Sequence, residues 1–264
     1  MTSDLITYEL KDDIAVIGLN RPDKRNALNG PTFTALAEAV ERAGQEAKVG
    51  VIFGHGEHFC AGLDLAFAAN EMLKMDPVIA RRTPDGSRRS MAEISRGPIP
   101  WVAALHGAVV GAGLELACCA HVRVAERGTF FALPEGQRGI FVGGGGSVRV
   151  QRAIGYERMA DMMLTGRTYN AEQAERINAV QYAVDEGEAL PKALELAARI
   201  AKNSALSNYA VTTVLPRLGT MQDDEGLFFE TLGAHYVVTE ESTRRLEDFL
   251  AKRAEPIVRP EETR

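Results

Sequence analysis

Residues 101–125, WVAALHGAVVGAGLELACCAHVRVA, decide the fold class. Trp101 to Leu105 and His121 to Ala125 are short apolar runs of strand character, and a helix-forming run from about Ala112 to Cys119 lies between them. Two strands joined through a helix lie parallel in one sheet, because an antiparallel pair needs only a hairpin. The fold class read from this stretch is α/β.

Upstream, Ile6 to Leu10 and Ile14 to Leu19 flank the turn-like Lys11-Asp12-Asp13 and predict a hairpin. A helix is expected after Pro31, where Phe33, Leu36, Ala37 and Val40 recur at helical spacing, followed by a buried strand over Val49 to Phe53. The stretch 74–100 is polar and rich in breakers, with Pro84-Asp85-Gly86 and Gly97-Pro98-Ile99-Pro100, and reads as a loop with at most a short helix. Downstream of Ser147 the pattern is helical, with runs over 147–154, 156–164, 171–176, 187–202, 208–218, 222–237 and 240–253 and one strand near Val180 to Val184.

At 264 residues with 45% hydrophobic side chains, the chain can bury a full core. The net charge of −6 argues against nonspecific binding to nucleic acid or to anionic membranes. Cys60, Cys118 and Cys119 are odd in number and two are adjacent, which suggests neither a disulfide framework nor a spaced metal site. With no signal-like start and no apolar run of ~18 residues, a soluble, unprocessed cytoplasmic protein is expected.

Three glycine turns each follow an apolar run: Gly54 to Gly62, Gly111-Ala112-Gly113, and Gly143 to Gly146. Small residues let a backbone approach a ligand with its N–H groups exposed. The second turn enters a helix, whose first N–H groups lack internal partners and suit a developing negative charge. Glu115 lies one turn further on the same face, and Glu135 follows Pro134 in a tight segment. Two convergent carboxylates can divide acid and base roles when their surroundings separate their pKa values. Taken singly, a glutamate near a helix start is more often a partner of the helix dipole than a catalyst.

Together these segments resemble the enoyl-CoA hydratase/isomerase (crotonase) superfamily. The resemblance rests on Asn20-Arg21-Pro22, Asn26-Ala27-Leu28, Phe59-Cys60-Ala61-Gly62-Leu63-Asp64-Leu65, His106-Gly107, Gly111 to Leu116, Pro134-Glu135, Gly143 to Gly146, and Leu164-Thr165-Gly166-Arg167. They stand in family order over residues 5–253. The resemblance implies a crotonase-like spiral of repeated ββα units over residues 1–200 and a C-terminal helical trimerisation region over 201–264, assembled as a homotrimer or as a hexamer of two trimers. It further implies an oxyanion hole from the N–H groups of Leu63 and Ala112, and a water-placing N–H at Gly143.

In hydratases of this family two glutamates stand twenty positions apart, as Glu115 and Glu135 do here. The implied activity is addition of water across the 2,3 double bond of a 2-enoyl-CoA, in fatty-acid or related acyl-CoA metabolism. Coenzyme A is then part of the substrate, and Lys24, Arg25, Ala27, Ala61, Asp64, Leu65, Phe249 and Lys252 match positions that line or approach it. The reaction is redox-neutral, so no cofactor and no metal is expected, and the glycine turns lack the Rossmann spacing.

Departures from the family pattern are Val142 for a frequent Pro, Leu63 for a common Ala, Arg244-Arg245 for a Glu-Gly pair, and His121 for an Asp, the last read as structural. Arg81, Arg82, Arg88 and Arg89 suit either an anionic group of the substrate or, more readily, solvent. The alternatives are a double-bond isomerase, a hydroxycinnamoyl-CoA hydratase-lyase, and a non-catalytic CoA-thioester or RNA-binding relative.

Overall fold

The computed structural model describes residues 4–72, 74 and 86–254. Its strands are β1 Ile6–Lys11, β2 Ile14–Leu19, β3 Val49–Gly54, β4 Trp101–Leu105, β5 Ala108–Val110, β6 Val122–Glu126, β7 Phe130–Ala132, β8 Tyr169–Asn170 and β9 Tyr182–Val184. β1 and β2 form the expected antiparallel hairpin, with Ile6 opposite Leu19 and Lys11 opposite Ile14. Asp12 makes the turn at a left-handed φ of 52°, a conformation that Asp tolerates better than most residues. From β2 onward every pairing in the main sheet is parallel, in the order β1-β2-β3-β4-β6-β9.

Parallel strands need crossovers. The helices of six or more residues described in this part of the chain are α1 Gly30–Glu46, α2 Gly86–Arg96, α3 Ala112–Ala117, α4 Gly146–Ile154, α5 Tyr156–Thr165, α6 Ala171–Arg176 and α7 Ala189–Ala201. The sheet is buried on both faces, and alternation along its strands divides the core in two. Val49, Val51, Val102, Ala104 and Val124 pack on Ala193, Leu196 and Ala197 of α7. Ile17, Ile52, Trp101, Ala103 and Leu105 point the other way, toward Leu36 and Val40 of α1 and Met91 and Ile94 of α2. Gly50 leaves room for the fully buried Trp101 ring, which any Cβ at that position would strike.

The polar stretch 74–100 departs from its expected loop character, because α2 is an eleven-residue helix. Its Ser90, Met91 and Ile94 are buried against the core, and only three inward positions distinguish it from a solvated loop. Arg89 pairs with Glu41 of α1, while Arg81 and Arg82 fall outside the described residues. A second sheet, β5-β7-β8, is not foreshadowed by the sequence pattern, since strands of two or three residues are too short to show alternation. β6 and β9 each start later than expected, at Val122 and Tyr182.

The chain divides into two compact units, Met1–Lys202 and Asn203–Arg264. The second is helical: α8 Ala205–Tyr209, a π turn Ala210–Val214, α9 Leu215–Leu218, α10 Asp223–Tyr236 and α11 Glu240–Leu250. Thr239 caps α11 through a capping box with Ser242. Among the described residues no helix is long and apolar enough to cross a membrane. The fold is α/β, with a helical C-terminal region, as expected.

Candidate active site

Gly111 links β5 to α3 at a φ of 54°, and its N–H is held by the Ala132 carbonyl of β7 at 2.9 Å. A Cβ here would lie 2.8 Å from Glu135 Oε1, so both backbone conformation and space demand glycine. Two residues on, a Cβ at Gly113 would lie 2.5 Å from the Cys60 carbonyl. The segment Cys60–Leu63 therefore runs directly against the start of α3. It is held there by Cys60 N–H to Ala108 O at 3.0 Å and Val110 N–H to Cys60 O at 3.1 Å.

Gly62, at a φ of 102°, brings the segment so close that its Cβ position is 3.7 Å from the Ala112 nitrogen. The next residue, Leu63, bridges Leu28, with Leu28 N–H bonded to Gly62 O and Asp64 N–H bonded to Leu28 O, both at 2.8 Å. Among the described residues, neither the Leu63 nor the Ala112 N–H donates a hydrogen bond. Two donors from separate segments are thus fixed side by side and left available, an arrangement suited to an oxygen that gains negative charge.

Glu115 sits on α3 at 3% exposure. Its Oε1 accepts from the N–H groups of Gly144 at 2.9 Å and Gly146 at 2.8 Å, and the Gly143 N–H also faces it. Burial pushes its pKa above the usual carboxylate range, while these amides and the Arg149 charge pull back. Glu135, at 6% exposure, has a buried Oε2 that accepts no hydrogen bond within the described protein. Burial, reinforced by the Glu115 charge, pushes it up to about 7. One carboxylate is held by amides and the other is poised to keep a proton near neutrality, so the pair can act as base and acid.

The strip around Arg25 is built by Asn26, which is 1% exposed. Its Oδ1 accepts from Arg21 N–H at 2.8 Å, and its Nδ2 donates to the carbonyls of His55 at 2.8 Å and His58 at 2.7 Å. This knot presents Lys24 and Arg25 to solvent, with Arg25 itself left-handed at a φ of 52°. Ala61 N–H bonds Arg25 O at 2.9 Å, and Ala27 O accepts from Arg21 Nη1 at 2.6 Å. Lys24, Arg25, Ala27 and Ala61 therefore share one strip beside Leu63.

Asp64 is spoken for differently. Its carboxylate pairs with Arg21 at 3.2 Å and caps the N–H groups of Ala66 and Phe67. Burial opposes its charge, but the Phe67 amide, Arg21 and the Ala66 amide together hold it below the usual range. Leu65 is 54% exposed. Phe249 and Lys252 belong to the second unit, where both are exposed. His121 has the structural role expected of it: Nδ1 accepts from Trp101 N–H at 3.0 Å, and burial lowers its pKa to about 4.

Three participants were not assigned these roles from the sequence. The Gly143 to Gly146 run stood out, but its carboxylate partner lies about thirty residues away and left no local signal. Asn26 was visible only as part of a motif, and Arg149 carried no signal at all.

The enoyl-CoA hydratase/isomerase family model matches residues 9–256. The chain is 32% identical to 2,3-dehydroadipyl-CoA hydratase of Escherichia coli strain K12, covering 91% of this chain and 93% of that protein. It is 30% identical to crotonyl-CoA hydratase of Syntrophomonas wolfei, covering 96% and 100%. Among solved structures, a candidate enoyl-CoA hydratase from Rhodopseudomonas palustris CGA009 superposes with a TM-score of 0.88 at 43% identity, covering 94% and 95%. An enoyl-CoA hydratase from Bacillus anthracis gives a TM-score of 0.86 at 27% identity, covering 94% and 97%. With its fold, its motif order and its full-length relatives in agreement, the chain belongs to the enoyl-CoA hydratase/isomerase family.

Proposed function

We propose that the protein is an enoyl-CoA hydratase, adding water across the 2,3 double bond of a 2-enoyl-CoA thioester. The observation that carries this reading is the opposed state of two buried carboxylates, Glu115 held by glycine amides and Glu135 raised to about 7. In the reaction, Leu63 and Ala112 N–H groups donate to the thioester oxygen. Glu115, ionised, takes a proton from water as its oxygen bonds to C3, with Gly143 helping to place that water. Electron density moves through the alkene to the thioester oxygen, and the enolate collapses as C2 takes the proton of Glu135. Proton exchange with solvent resets the two glutamates.

Nothing in this cycle is oxidised or reduced, and the thioester is its own electron sink, so the reading calls for no metal, flavin or nicotinamide. The nucleotide of coenzyme A is assigned to Lys24 and Arg25, with Ala27 and Ala61 along the pantetheine path and Asp64 shaping it through Arg21 and the turn it caps. Assembly as a trimer, or as two trimers, accords with the exposed apolar side chains Leu227, Phe228, Leu232, Leu246 and Leu250 of the helical unit. A cytoplasmic setting accords with three unpaired, buried cysteines.

The test is hydration of crotonyl-CoA, followed as loss of the conjugated thioester absorbance, for the parent and for Glu115→Gln and Glu135→Gln. Each substitution keeps shape and removes the titrating proton, and a loss of roughly 10²–10⁴ is expected. Parent-like rates in both variants would disprove the mechanism. Longer, branched and cinnamoyl thioesters in the same assay define the acyl group, and 3-enoyl-CoA separates hydration from isomerisation.

A further inference from the structure

Arg149 lies on α4, one turn beyond the glycine run, and is half-buried. Its Nη1 donates to the Gly144 carbonyl at 2.9 Å, and its Nη2 donates to Ser95 Oγ on α2 at 3.1 Å. The guanidinium lies over Gly145, which adopts a φ of 96° and where a Cβ would strike it. Gly144 is therefore held from both sides, its N–H on Glu115 and its carbonyl under Arg149. Met91 of α2 closes the remaining face, with its sulfur 2.5 Å from where a Gly144 Cβ would be.

We propose that Arg149 is a positioning residue for Glu115: it locks the glycine turn that holds the carboxylate and ties that turn, through Ser95, to α2. The proposal rests on the hydratase reading only for its kinetic consequence. A planar guanidinium suits this task because two of its donors engage two elements at fixed geometry, which an ammonium cannot reproduce. The charge has a second effect, since Arg149 favours the ionised form of Glu115. The other titratable groups around Glu115 are Glu135 and, further along α3, the thiols of Cys118 and Cys119. Among the described residues, Arg149 is the cation that acts on this carboxylate.

The experiment compares the parent with Arg149→Met, Arg149→Lys and Ser95→Ala. It reads kcat and KM for crotonyl-CoA across pH, and the titration of the Glu115 carboxyl by NMR of 13C-labelled glutamate, assigned with Glu115→Gln. Arg149→Met is expected to lower kcat about 10-fold to 100-fold with KM changed less than about threefold, as for a misplaced catalytic group. It should also move the acid limb of the kcat profile, and the Glu115 titration, to higher pH. Arg149→Lys should restore the limb but not the full kcat. Ser95→Ala should cost a few-fold in kcat and leave the limb in place.

An unchanged Glu115 titration with parent-like kcat in Arg149→Met would overturn the proposal. If the parent hydrates no enoyl thioester, the hydratase reading fails, and the Glu115 titration, which needs no turnover, still decides the role of Arg149. Should Arg149→Met fail to fold, parent-like kinetics in both Arg149→Lys and Ser95→Ala would overturn it equally.

Discussion

The N–H of Gly146 donates to Oε1 of Glu115 at 2.8 Å, across thirty-one positions of sequence. Gly146 is the first residue of α4, so its N–H is one of those a helix cannot satisfy internally, and the carboxylate satisfies it. The contact is tight: a Cβ at Gly146 would lie 2.5 Å from Glu115 Cγ and 2.8 Å from Oε1. Gly146→Ala is therefore expected to displace the base and lower kcat roughly 100-fold. Gly219→Ala, outside the site, meets only the Leu215 carbonyl at 4.0 Å and should stay within about threefold of the parent. Steady-state kinetics on the two variants checks the contrast, and equal losses would refute it.

The raised pKa of Glu135 predicts the alkaline side of the activity profile. As the proton donor it must be protonated, and it loses its proton as pH rises through about 7. The expected outcome is a fall in kcat/KM above that pH, of about tenfold for each further pH unit. In Glu135→Gln the residual activity, reduced as stated above, should lack this limb. A parent profile flat from pH 6 to pH 9 would contradict the assignment.

The same group predicts that Glu135→Gln changes stability in the opposite sense to activity. Glu135 titrates at about 7 in the folded chain against an ordinary value of 4.5. Between these values the folded state binds more protons than the unfolded state, so stability falls as pH rises through the window, and the cost is complete above it. Glu135→Gln removes that cost and should be more stable than the parent by about 1–2 kcal/mol at pH 8, with the difference shrinking toward pH 4.5. Urea unfolding at the two pH values measures it.

Asn26 predicts a purely structural loss. Removing its side chain would leave the partly buried carbonyls of His55 and His58 and the Arg21 N–H without their partner. Asn26 also adopts a left-handed φ of 55°, which Asn tolerates better than Ala. Asn26→Ala is expected to cost about 2–4 kcal/mol, read as a lower urea midpoint. Because the strip bearing Lys24 and Arg25 is anchored there, KM for the CoA thioester should rise in any fraction that folds.

Much of the architecture was legible in local pattern. The β1–β2 hairpin, α1 after Pro31, the β4–α3–β6 crossover and the helical C-terminal region each follow from periodicity and breakers within a dozen residues. The eleven residues of α2 were not, because three inward-facing side chains among charged neighbours do not outweigh a polar composition. Nor was the small β5-β7-β8 sheet, whose strands exist only because β7 has two partners to bond.

The sequence by itself determined the family order of the motifs, the two glutamates twenty positions apart and the glycines beside them, because these are matters of residue type and spacing. Only the tertiary structure decided which groups meet: the amides of Gly144 and Gly146 on Glu115, the Gly62 turn set too close to the Val110 carbonyl for a side chain, and Arg149 bonded to both the glycine turn and α2. It also separated the surroundings of the two carboxylates, with glycine amides on Glu115 and a buried oxygen of Glu135 left without a partner in the described protein. That separation depends on desolvation and on hydrogen bonds from distant segments, and neither exists until the chain has folded.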